Sequence, residues 1–328
     1  MRAITFKETG GPEVLHLADL PTPTPGPGEL LIRVAYAGVN YGEVQHRLGD
    51  FGSPTGDTVT GLEAAGHVAE LGEGVTGVSV GDRVTAYLPD GGGYAEYAVV
   101  PAAFAFPLPD TVDLRTGGGA ALVLTTAYGV LAGAARIARG DTVLIHAAAG
   151  GVGGAAAQLA RALGASAVYG TASTPQKAAY ARDTFGYDDV HVRETFPESI
   201  LAATAGRGVD IVLDPIGGPT RLASLDVLAP FGRIAVYGEA ARHPDLTLPI
   251  LPLWKNNRTL TGYNIGDLSR RTPETLRHHA LSALSLAASG DVRIDITEEY
   301  ELGEAAEAHR LLGEGRNRGK VVLRVAGE

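Results

Sequence analysis

Glycines at positions 150, 151, 153 and 154 lie in the run HAAAGGVGGAAAQLARALGA, whose spacing is typical of a turn that binds phosphate. The pattern reads Ala148-x-Gly150-x-x-Gly153 and departs from G-x-G-x-x-G only at its first position. Gly150 would let a pyrophosphate approach the backbone, and Gly153 would let a helix pack closely on a strand. A Gly/Ala-rich junction between two packed elements has the same composition, so the flanking residues must decide between the two interpretations.

The residues on either side of this turn predict a strand before it and a helix after it. Thr142–His146 is a short apolar run, as expected of a buried parallel strand. Beyond the turn, apolar residues recur at the spacing of one helix face, at Val152, Ala155, Ala156, Leu159, Ala160 and Leu163. The N-terminus of such a helix offers free N–H groups and a positive dipole to an anion. The sequence therefore predicts a dinucleotide-binding turn formed by Gly150, Gly151, Val152 and Gly153.

The next strand indicates which dinucleotide is bound. A site for NADH places Asp or Glu about 20 residues after the glycines, where the carboxylate accepts a hydrogen bond from the ribose 2′-hydroxyl. This chain has YGTASTPQK at 169–177, without an acidic residue. Ser173 and Lys177 instead suit a 2′-phosphate, although Lys177 is also compatible with an ordinary solvated position in a helix that begins at Pro175. The missing carboxylate favours NADPH.

Composition narrows the class of protein. The chain has 328 residues, 20% of them charged, and a formal net charge of −10 without a basic run, which argues against nucleic acid or an anionic membrane as partner. It has no cysteine, so thiol catalysis and cysteine-ligated zinc are excluded. The uncharged run 116–135 is diluted by glycine and threonine and predicts a buried helix rather than a membrane span. The N-terminus also has no apolar signal core, so we expect a cytoplasmic protein. The length of the chain predicts two domains.

Two other patterns give weaker signals. GVSVG at 77–81 fits the G-x-S-x-G of serine hydrolases, but a strand follows it where a helix is required, which favours a β-turn. The histidines form no H-x-x-x-H or H-E-x-x-H pair. His46 remains a candidate for chemistry because it follows Asn40 and Tyr41 in a loop-like region, although an exposed polar residue is the simpler interpretation.

The predicted secondary structure changes near residue 122, from β-structure to alternating strands and helices. Up to about residue 110, short β-branched runs broken by Gly and Pro predict β-structure. Beyond residue 122, strands alternate with helices as in a parallel sheet. The strand candidates are 142–146, 167–170, 210–214 and 233–237, with a possible edge strand at 259–263. A helix is predicted at 273–288, and short strands return from residue 297.

Motifs that span nearly the whole chain resemble, in order, those of the medium-chain dehydrogenases and reductases. They are GGPEVL (10–15), PGPGEL (25–30), AGVN (37–40), GLEAAG (61–66), VGDRV (80–84), the glycine turn and GKVVL (319–323). Together they resemble the zinc-free, ζ-crystallin-like quinone oxidoreductase branch. The resemblance implies an α/β fold, with a GroES-like β-domain at 1–122 completed by 265–328, and a Rossmann NADPH-binding domain with a doubly wound parallel sheet at 123–264. It also implies a homodimer joined through the Rossmann edge strand near 259–263.

The resemblance further implies a site without a metal. Zinc-dependent relatives use cysteine and a histidine that follows the glycine matching Gly61, whereas this chain has Leu62 there and no cysteine. Without a Lewis acid nothing stabilises an alkoxide, so alcohol oxidation is disfavoured. Reduction of an already electrophilic acceptor is favoured instead.

Individual residues match positions with roles in the family. Asn40 and Tyr41 match the loop beside the nicotinamide and the substrate carbonyl. The cofactor positions are matched by Thr126 at the nicotinamide, Ser173 and Lys177 at the 2′-phosphate, Tyr237 near the cofactor, and Asn317 in the tail. The substrate pocket departs from the family, because Gln45 and Phe51 replace tyrosines and Asn264 replaces an arginine. The identity of the acceptor therefore does not follow from the resemblance.

We expect an NADPH-dependent, metal-independent reductase that passes hydride to a quinone or a related conjugated carbonyl. Asn40, together with Tyr41, would donate hydrogen bonds to the acceptor oxygen as negative charge develops on it. Two alternatives stay open. One is an enone or enoyl-thioester reductase with Tyr41 or His46 as proton donor, and the other is a non-catalytic, crystallin-like NADPH-binding protein.

Overall fold

The computed structural model describes residues 1–54, 56–244, 246–248 and 250–326 and divides the chain into two compact units. Unit 1 comprises Met1–Thr125, Leu268–Ala288 and Ile294–Glu328, and unit 2 comprises Thr126–Asp267 and Ser289–Arg293. The domain boundaries expected at 122 and 264 fall three residues before these divisions, and 289–293 lie in unit 2 instead of the C-terminal segment.

Unit 1 is mainly antiparallel β-structure. Its first part contains β1 Arg2–Phe6, β2 His16–Asp19, β3 Glu29–Val39, α1 Tyr41–Leu48, β4 Thr58–Val59, β5 Glu63–Leu71, β6 Arg83–Tyr87, β7 Tyr97–Pro101, β8 Ala105–Pro107, α2 Leu114–Gly118 and α3 Ala121–Tyr128, which continues into unit 2. A three-stranded sheet has the order β2-β1-β4, and β3 pairs with β5 and β7 in the larger sheet.

Unit 2 is a parallel sheet with helical crossovers. Its elements are β9 Thr142–Ile145, α4 Gly151–Ala162, β10 Ala167–Ala172, α5 Pro175–Phe185, β11 Asp189–Val192, α6 Phe196–Ala203, β12 Val209–Asp214, α7 Gly218–Asp226, β13 Leu228–Val236, α8 Ile250–Lys255 and β14 Thr259–Gly262. The strand order is β11-β10-β9-β12-β13-β14. Numbered from β9, this is the doubly wound Rossmann order 3-2-1-4-5-6, whose order reverses between β9 and β12. Ligands bind at the carboxyl ends of the strands at such a point.

The chain then returns to unit 1 through α9 Ile265–Arg271, which begins in unit 2, and α10 Pro273–Ala288, followed by β15 Ile296–Glu301, α11 Ala305–Gly313 and β16 Lys320–Arg324. β16 pairs antiparallel with β3, so that Val321 lies opposite Val39. The last strand of the chain is therefore a neighbour of the residues just before Asn40.

The strands of unit 2 lie where the sequence pattern predicts them, except for β11. Val143, Leu144 and Ile145 of β9 are completely buried, as expected of a central parallel strand. The pattern did not predict β11, because its residues DVHV alternate charged and apolar types over a short edge segment. Among the described residues, no helix has the length and hydrophobicity needed to cross a membrane. The run 116–135 is divided between α2, α3 and a π-helical segment.

Candidate active site

The glycine turn lies between β9 and α4, as its sequence pattern predicts. Gly150 is the N-cap residue of α4 in an extended conformation, and the first N–H groups of a helix have no partner within the helix. A Cβ atom on Gly153 would lie 2.4 Å from the carbonyl oxygen of Ala147, so only glycine permits this approach of helix to strand. A Cβ atom on Gly150 would have no protein atom closer than 3.4 Å. Glycine at 150 is therefore not required by packing, which fits a position kept open for a ligand.

A buried tyrosine supports this turn. The Tyr187 hydroxyl donates a hydrogen bond of 2.8 Å to the carbonyl oxygen of Gly153, and burial raises the pKa of Tyr187 well above its usual value. Ala147, at the start of the turn, has a positive φ of 55°, which is unusual for a residue with a side chain. Tyr187 was not predicted from the sequence, because it lies 34 residues from Gly153 and outside any motif.

The hydroxyl of Thr126 is buried. Its side chain is 6% exposed, and its Oγ1 atom makes no hydrogen bond among the described residues. Its neighbour Thr125 is also buried, but the Thr125 hydroxyl donates to the carbonyl oxygen of Ala121 at 2.5 Å. Because a buried hydroxyl is normally satisfied, the orphaned one at Thr126 fits a position that contacts a bound group.

Ser173 and Lys177 lie at the carboxyl edge of the sheet. β10 ends at Ala172 and is parallel to β9, so Ser173 leaves the sheet at the same edge as the glycine turn. Thr174 caps α5 by accepting a hydrogen bond of 3.2 Å from the backbone N–H of Lys177. Lys177 is thus in the first turn of a helix, where the helix dipole disfavours a cation. An anionic ligand at this edge would offset that cost.

The carboxyl ends of β12 and β13 carry a network of charged and polar groups. Asp214 is completely buried at the end of β12, where it accepts hydrogen bonds from the backbone N–H groups of Ile216 and Gly217 and from Arg221 Nε at 2.6 Å. Tyr237 donates its backbone N–H to the carbonyl oxygen of Asp214 at 3.0 Å. Burial, with a smaller contribution from the Asp214 carboxylate, raises the pKa of Tyr237 far above its usual value, so its hydroxyl stays neutral.

Unit 1 contains a buried cluster around Asn40, which we call the carboxylate cluster and define as Asn40, Glu43, Glu63 and Lys320. Glu43, Glu63 and Lys320 are 1%, 0% and 3% exposed. Lys320 Nζ donates to Asn40 Oδ1 at 2.5 Å, lies 2.7 Å from Glu63 Oε1, and donates to the carbonyl oxygen of Val39 at 2.9 Å. A Cβ atom on Gly38 would lie 2.3 Å from Glu63 Oε1, which explains the glycine of the AGVN motif.

The cluster uses both side-chain N–H bonds of Asn40. Asn40 Nδ2 donates to Glu43 Oε1 at 3.2 Å and to Glu63 Oε1 at 3.0 Å. The positions of the ammonium and the two carboxylates fix which end of the amide is the oxygen. Contrary to our expectation from the sequence, Asn40 in this conformation has no free amide hydrogen to donate to an acceptor.

Glu43 also links α1 to β5. Its Oε1 accepts from the Leu62 backbone N–H at 2.9 Å and its Oε2 from the Asn40 backbone N–H at 2.9 Å, which makes Asn40 and Glu43 a capping box for α1. Burial raises the pKa of Glu43 to about 7, although Lys320 and these N–H donors oppose the shift. Sequence reasoning did not assign a role to Glu43, Glu63 or Lys320, because Lys320 is separated from Asn40 by 280 residues.

The other expected site residues are distributed over both units. In unit 1, Tyr41 is the first residue of α1, the Gln45 side chain donates to Asp50 at 3.2 Å, Phe51 is 68% exposed, and Asn317 is half-buried in the loop before β16. In unit 2, exposed Asn264 caps α9 by accepting from the Asp267 backbone N–H at 3.1 Å. Gln45 and Phe51 therefore follow Asn40 on one segment, whereas Asn264 belongs to the other unit.

His46 lies beside a cavity of about 260 Å³ in unit 1. The cavity is lined by His46, Val59, Thr60, Gly61, Leu62, Pro89, Asp90 and Gly91. The His46 ring packs edge-on against Phe6, with 5.3 Å between ring centroids, and burial lowers its pKa below the usual value. His46 is thus neutral at pH 7 and can form a hydrogen bond inside the cavity. Among the described residues, no group of three or more acidic, histidine or cysteine side chains is arranged to hold a metal ion.

Comparison with known proteins identifies the class. Residues 26–110 match the alcohol dehydrogenase GroES-like domain, and residues 151–281 match the family described as zinc-binding dehydrogenase. A GroES-like domain followed by a Rossmann domain is the arrangement of the medium-chain dehydrogenases and reductases.

Relatives define the branch. The chain is 34% identical to a quinone oxidoreductase of Pseudomonas aeruginosa, over 98% of this chain and 99% of the relative, and 34% identical to a 2-haloacrylate reductase of a Burkholderia species, over 98% of each. The structure of Escherichia coli quinone oxidoreductase complexed with NADPH superimposes with a TM-score of 0.90 at 30% identity, covering 99% of this chain and 100% of that one. The chain belongs to the quinone oxidoreductase branch of the medium-chain dehydrogenase/reductase superfamily.

Proposed function

We propose that this protein is an NADPH-dependent reductase whose acceptor is a quinone or a related conjugated carbonyl. The observation that carries the proposal is the turn at Gly150, where the free N–H groups of α4 meet a glycine that packing does not require. The E. coli relative was solved as a complex with NADPH, and the P. aeruginosa relative is named a quinone oxidoreductase. NADPH would supply hydride from its reduced nicotinamide.

The residues of unit 2 fit this cofactor. The backbone N–H groups of Gly151, Val152 and Gly153 would bind the pyrophosphate at the helix N-terminus. Ser173 and Lys177 would bind the 2′-phosphate at the carboxyl end of β10. The hydroxyl of Thr126, which has no hydrogen-bond partner among the described residues, would contact the nicotinamide, and Tyr237, which follows β13, would lie near the cofactor.

The acceptor needs a hydrogen-bond donor other than Asn40. Because both amide N–H bonds of Asn40 are used within the carboxylate cluster, Asn40 acts by positioning the start of α1. The Tyr41 hydroxyl, on the next residue, would then donate to the acceptor oxygen as negative charge develops on it. A quinone that gains one hydride and one proton becomes a hydroquinone, and the proton can come from water.

A second acceptor class is favoured by one relative. One relative is named a 2-haloacrylate reductase, and a haloacrylate contains an activated carbon–carbon double bond. Reduction of that bond requires a proton at the α-carbon, and Tyr41 or His46 is the candidate donor. His46, which lines the unit 1 cavity and is neutral at pH 7, would have to take up a proton before it could donate one. The two classes thus differ in whether a side chain must deliver a proton.

The test is oxidation of NADPH, followed by its absorbance, with 1,4-benzoquinone, 9,10-phenanthrenequinone, an enone and an enoyl thioester offered in turn. The proposal predicts turnover with a quinone that is at least tenfold faster than with the thioester. Faster turnover of the enone or thioester, lost in His46→Leu, would establish the second class. NADPH binding without turnover of any acceptor would show a non-catalytic protein and overturn both.

We further propose that the protein is a homodimer formed through β14. This strand is the last in the parallel sheet, and an unpaired strand edge is a template for pairing with another chain. Exposed apolar side chains occur on β14 and on α8, the helix that precedes it in the chain: Trp254 is 74% exposed and Ile250 79%, both on α8, and Leu260 on β14 is also exposed. A second copy related by a two-fold axis would pair β14 with β14 and bury these side chains.

A further inference from the structure

One more basic residue leaves the sheet next to Ser173. β10 and β11 are parallel, with Ala172 opposite Val192, so the residues that follow, Ser173 and Arg193, leave neighbouring strands at the same edge. Arg193 follows the strand that the sequence did not predict, and no role was assigned to it.

The guanidinium of Arg193 has no hydrogen-bond or ion-pair partner in the described part of the chain. Its Nε atom is buried without a hydrogen-bond acceptor, and among the described residues Arg193 forms no ion pair. The neighbouring acids do not neutralise it: Asp189 lies 3.8 Å from the His191 ring, Glu194 is exposed, and Asp214 binds Arg221. A buried guanidinium nitrogen without an acceptor is destabilising, and arginine suits bidentate binding of phosphate.

The positive charge of Arg193 acts on the residue before the glycine turn. His146 is completely buried, its Nδ1 atom lies 2.8 Å from Thr171 Oγ1, and its ring packs edge-on against Phe196 with 5.0 Å between centroids. Burial lowers the pKa of His146 to about 4, and Arg193 contributes to the decrease. The contact between Phe196 and His146 places the segment that begins at Arg193 beside the carboxyl end of β9, where the glycine turn starts.

We propose that Arg193 binds the phosphate on the adenosine ribose of NADPH, together with Ser173 and Lys177, and so contributes to preference for NADPH over NADH. The inference rests on the proposed function, because it requires NADPH as the ligand. NADH has a hydroxyl in place of the phosphate and gains little from a guanidinium there. Two cations and a hydroxyl, from the segments that follow β10 and β11, would then bind the dianionic group.

The experiment compares Arg193→Ala with the wild-type protein. The dissociation constants of NADPH, NADH and adenosine 2′,5′-bisphosphate are measured by calorimetry. We expect Arg193→Ala to weaken NADPH and the bisphosphate about tenfold or more and NADH less than twofold, with Arg193→Lys in between. Arg182→Ala is the matched control, since it removes the same charge from an exposed residue of α5 that pairs with Asp183 at 3.1 Å. It should leave all three constants unchanged.

Equal weakening of NADPH and NADH in Arg193→Ala, or no change in either, would overturn the inference while wild-type NADPH binding keeps the proposed function intact. A wild-type protein that does not bind NADPH would overturn both. If Arg193→Ala unfolds, as shown by circular dichroism, Arg193→Lys decides: unchanged affinity for the bisphosphate at unchanged affinity for NADH counts against a bidentate guanidinium contact.

Discussion

The hydroxyl of Thr126 should cost stability and serve binding, and an isosteric substitution separates the two effects. Thr126→Val removes a buried hydroxyl that has no partner among the described residues. We expect the free energy of unfolding to rise by about 1 kcal/mol and the NADPH dissociation constant to increase about fivefold, measured by urea denaturation and nucleotide fluorescence.

Thr125→Val is the control for this prediction. It removes a hydroxyl that donates to the Ala121 carbonyl oxygen, so the free energy of unfolding should fall by about 1 kcal/mol with NADPH affinity unchanged. Identical behaviour of the two variants would contradict a cofactor contact at Thr126.

Glu43 makes stability depend on pH in a predictable direction. Burial raises its pKa from 4.5 to about 7 in the folded protein. At pH values between these two, the folded state holds a proton on Glu43 that the unfolded state has released. The contribution of Glu43 to stability is therefore fully present below pH 4.5 and is lost as the pH rises to 7. The full loss amounts to about 3 kcal/mol.

Glu43→Gln tests this dependence. The variant should be less stable at every pH, because its amide nitrogen replaces an oxygen that accepts an N–H bond. Its free energy of unfolding should nevertheless decline less than that of the wild type between pH 5 and 7, as measured by urea denaturation at each pH. Parallel curves for the two proteins would show that Glu43 does not titrate in this range.

At the scale of elements, packing in the glycine turn requires glycine at position 153 but not at position 150. Gly153→Ala should reduce the melting temperature by several degrees, because the added carbon would lie 2.4 Å from Ala147 O and force α4 away from β9. Gly150→Ala meets no protein atom within 3.4 Å and should keep the wild-type melting temperature while losing NADPH binding at least tenfold. Retained NADPH affinity in a folded Gly150→Ala protein would mean that the nucleotide does not approach this residue.

The turn and the carboxylate cluster show where sequence reasoning succeeds. The turn was predictable because the strand, the glycines and the helix are consecutive, so that one local pattern specifies all three. The carboxylate cluster was not, because Glu63 is 23 residues and Lys320 280 residues from Asn40, and their hydrogen bonds depend on how strands pair. The resemblance to the family predicted that Asn40 donates a hydrogen bond to the acceptor. Only the structure shows that both of its side-chain N–H bonds are already used within the carboxylate cluster.

At the scale of the whole molecule, the apolar edge at β14 predicts an assembly. Sedimentation velocity should give twice the chain mass of 33.8 kDa for the wild-type protein. Trp254→Asp should give the mass of one chain, because it places a charge on the side chain that a second copy would bury. Val80→Asp, at an equally apolar exposed position in unit 1, should leave the dimer intact. A wild-type protein that sediments as a single chain would rule out this dimer.

The proposed roles of the glycine turn, Ser173 and Lys177 all require NADPH as the nucleotide that the Rossmann unit binds. The direct measurement is titration of the wild-type protein and of Lys177→Ala with NADPH and with NADH, followed by the fluorescence of the reduced nicotinamide. We expect saturable binding, a preference of the wild type for NADPH of at least tenfold, and loss of most of that preference in Lys177→Ala. Absence of NADPH binding, or equal affinity of the wild type for the two nucleotides, would contradict the account.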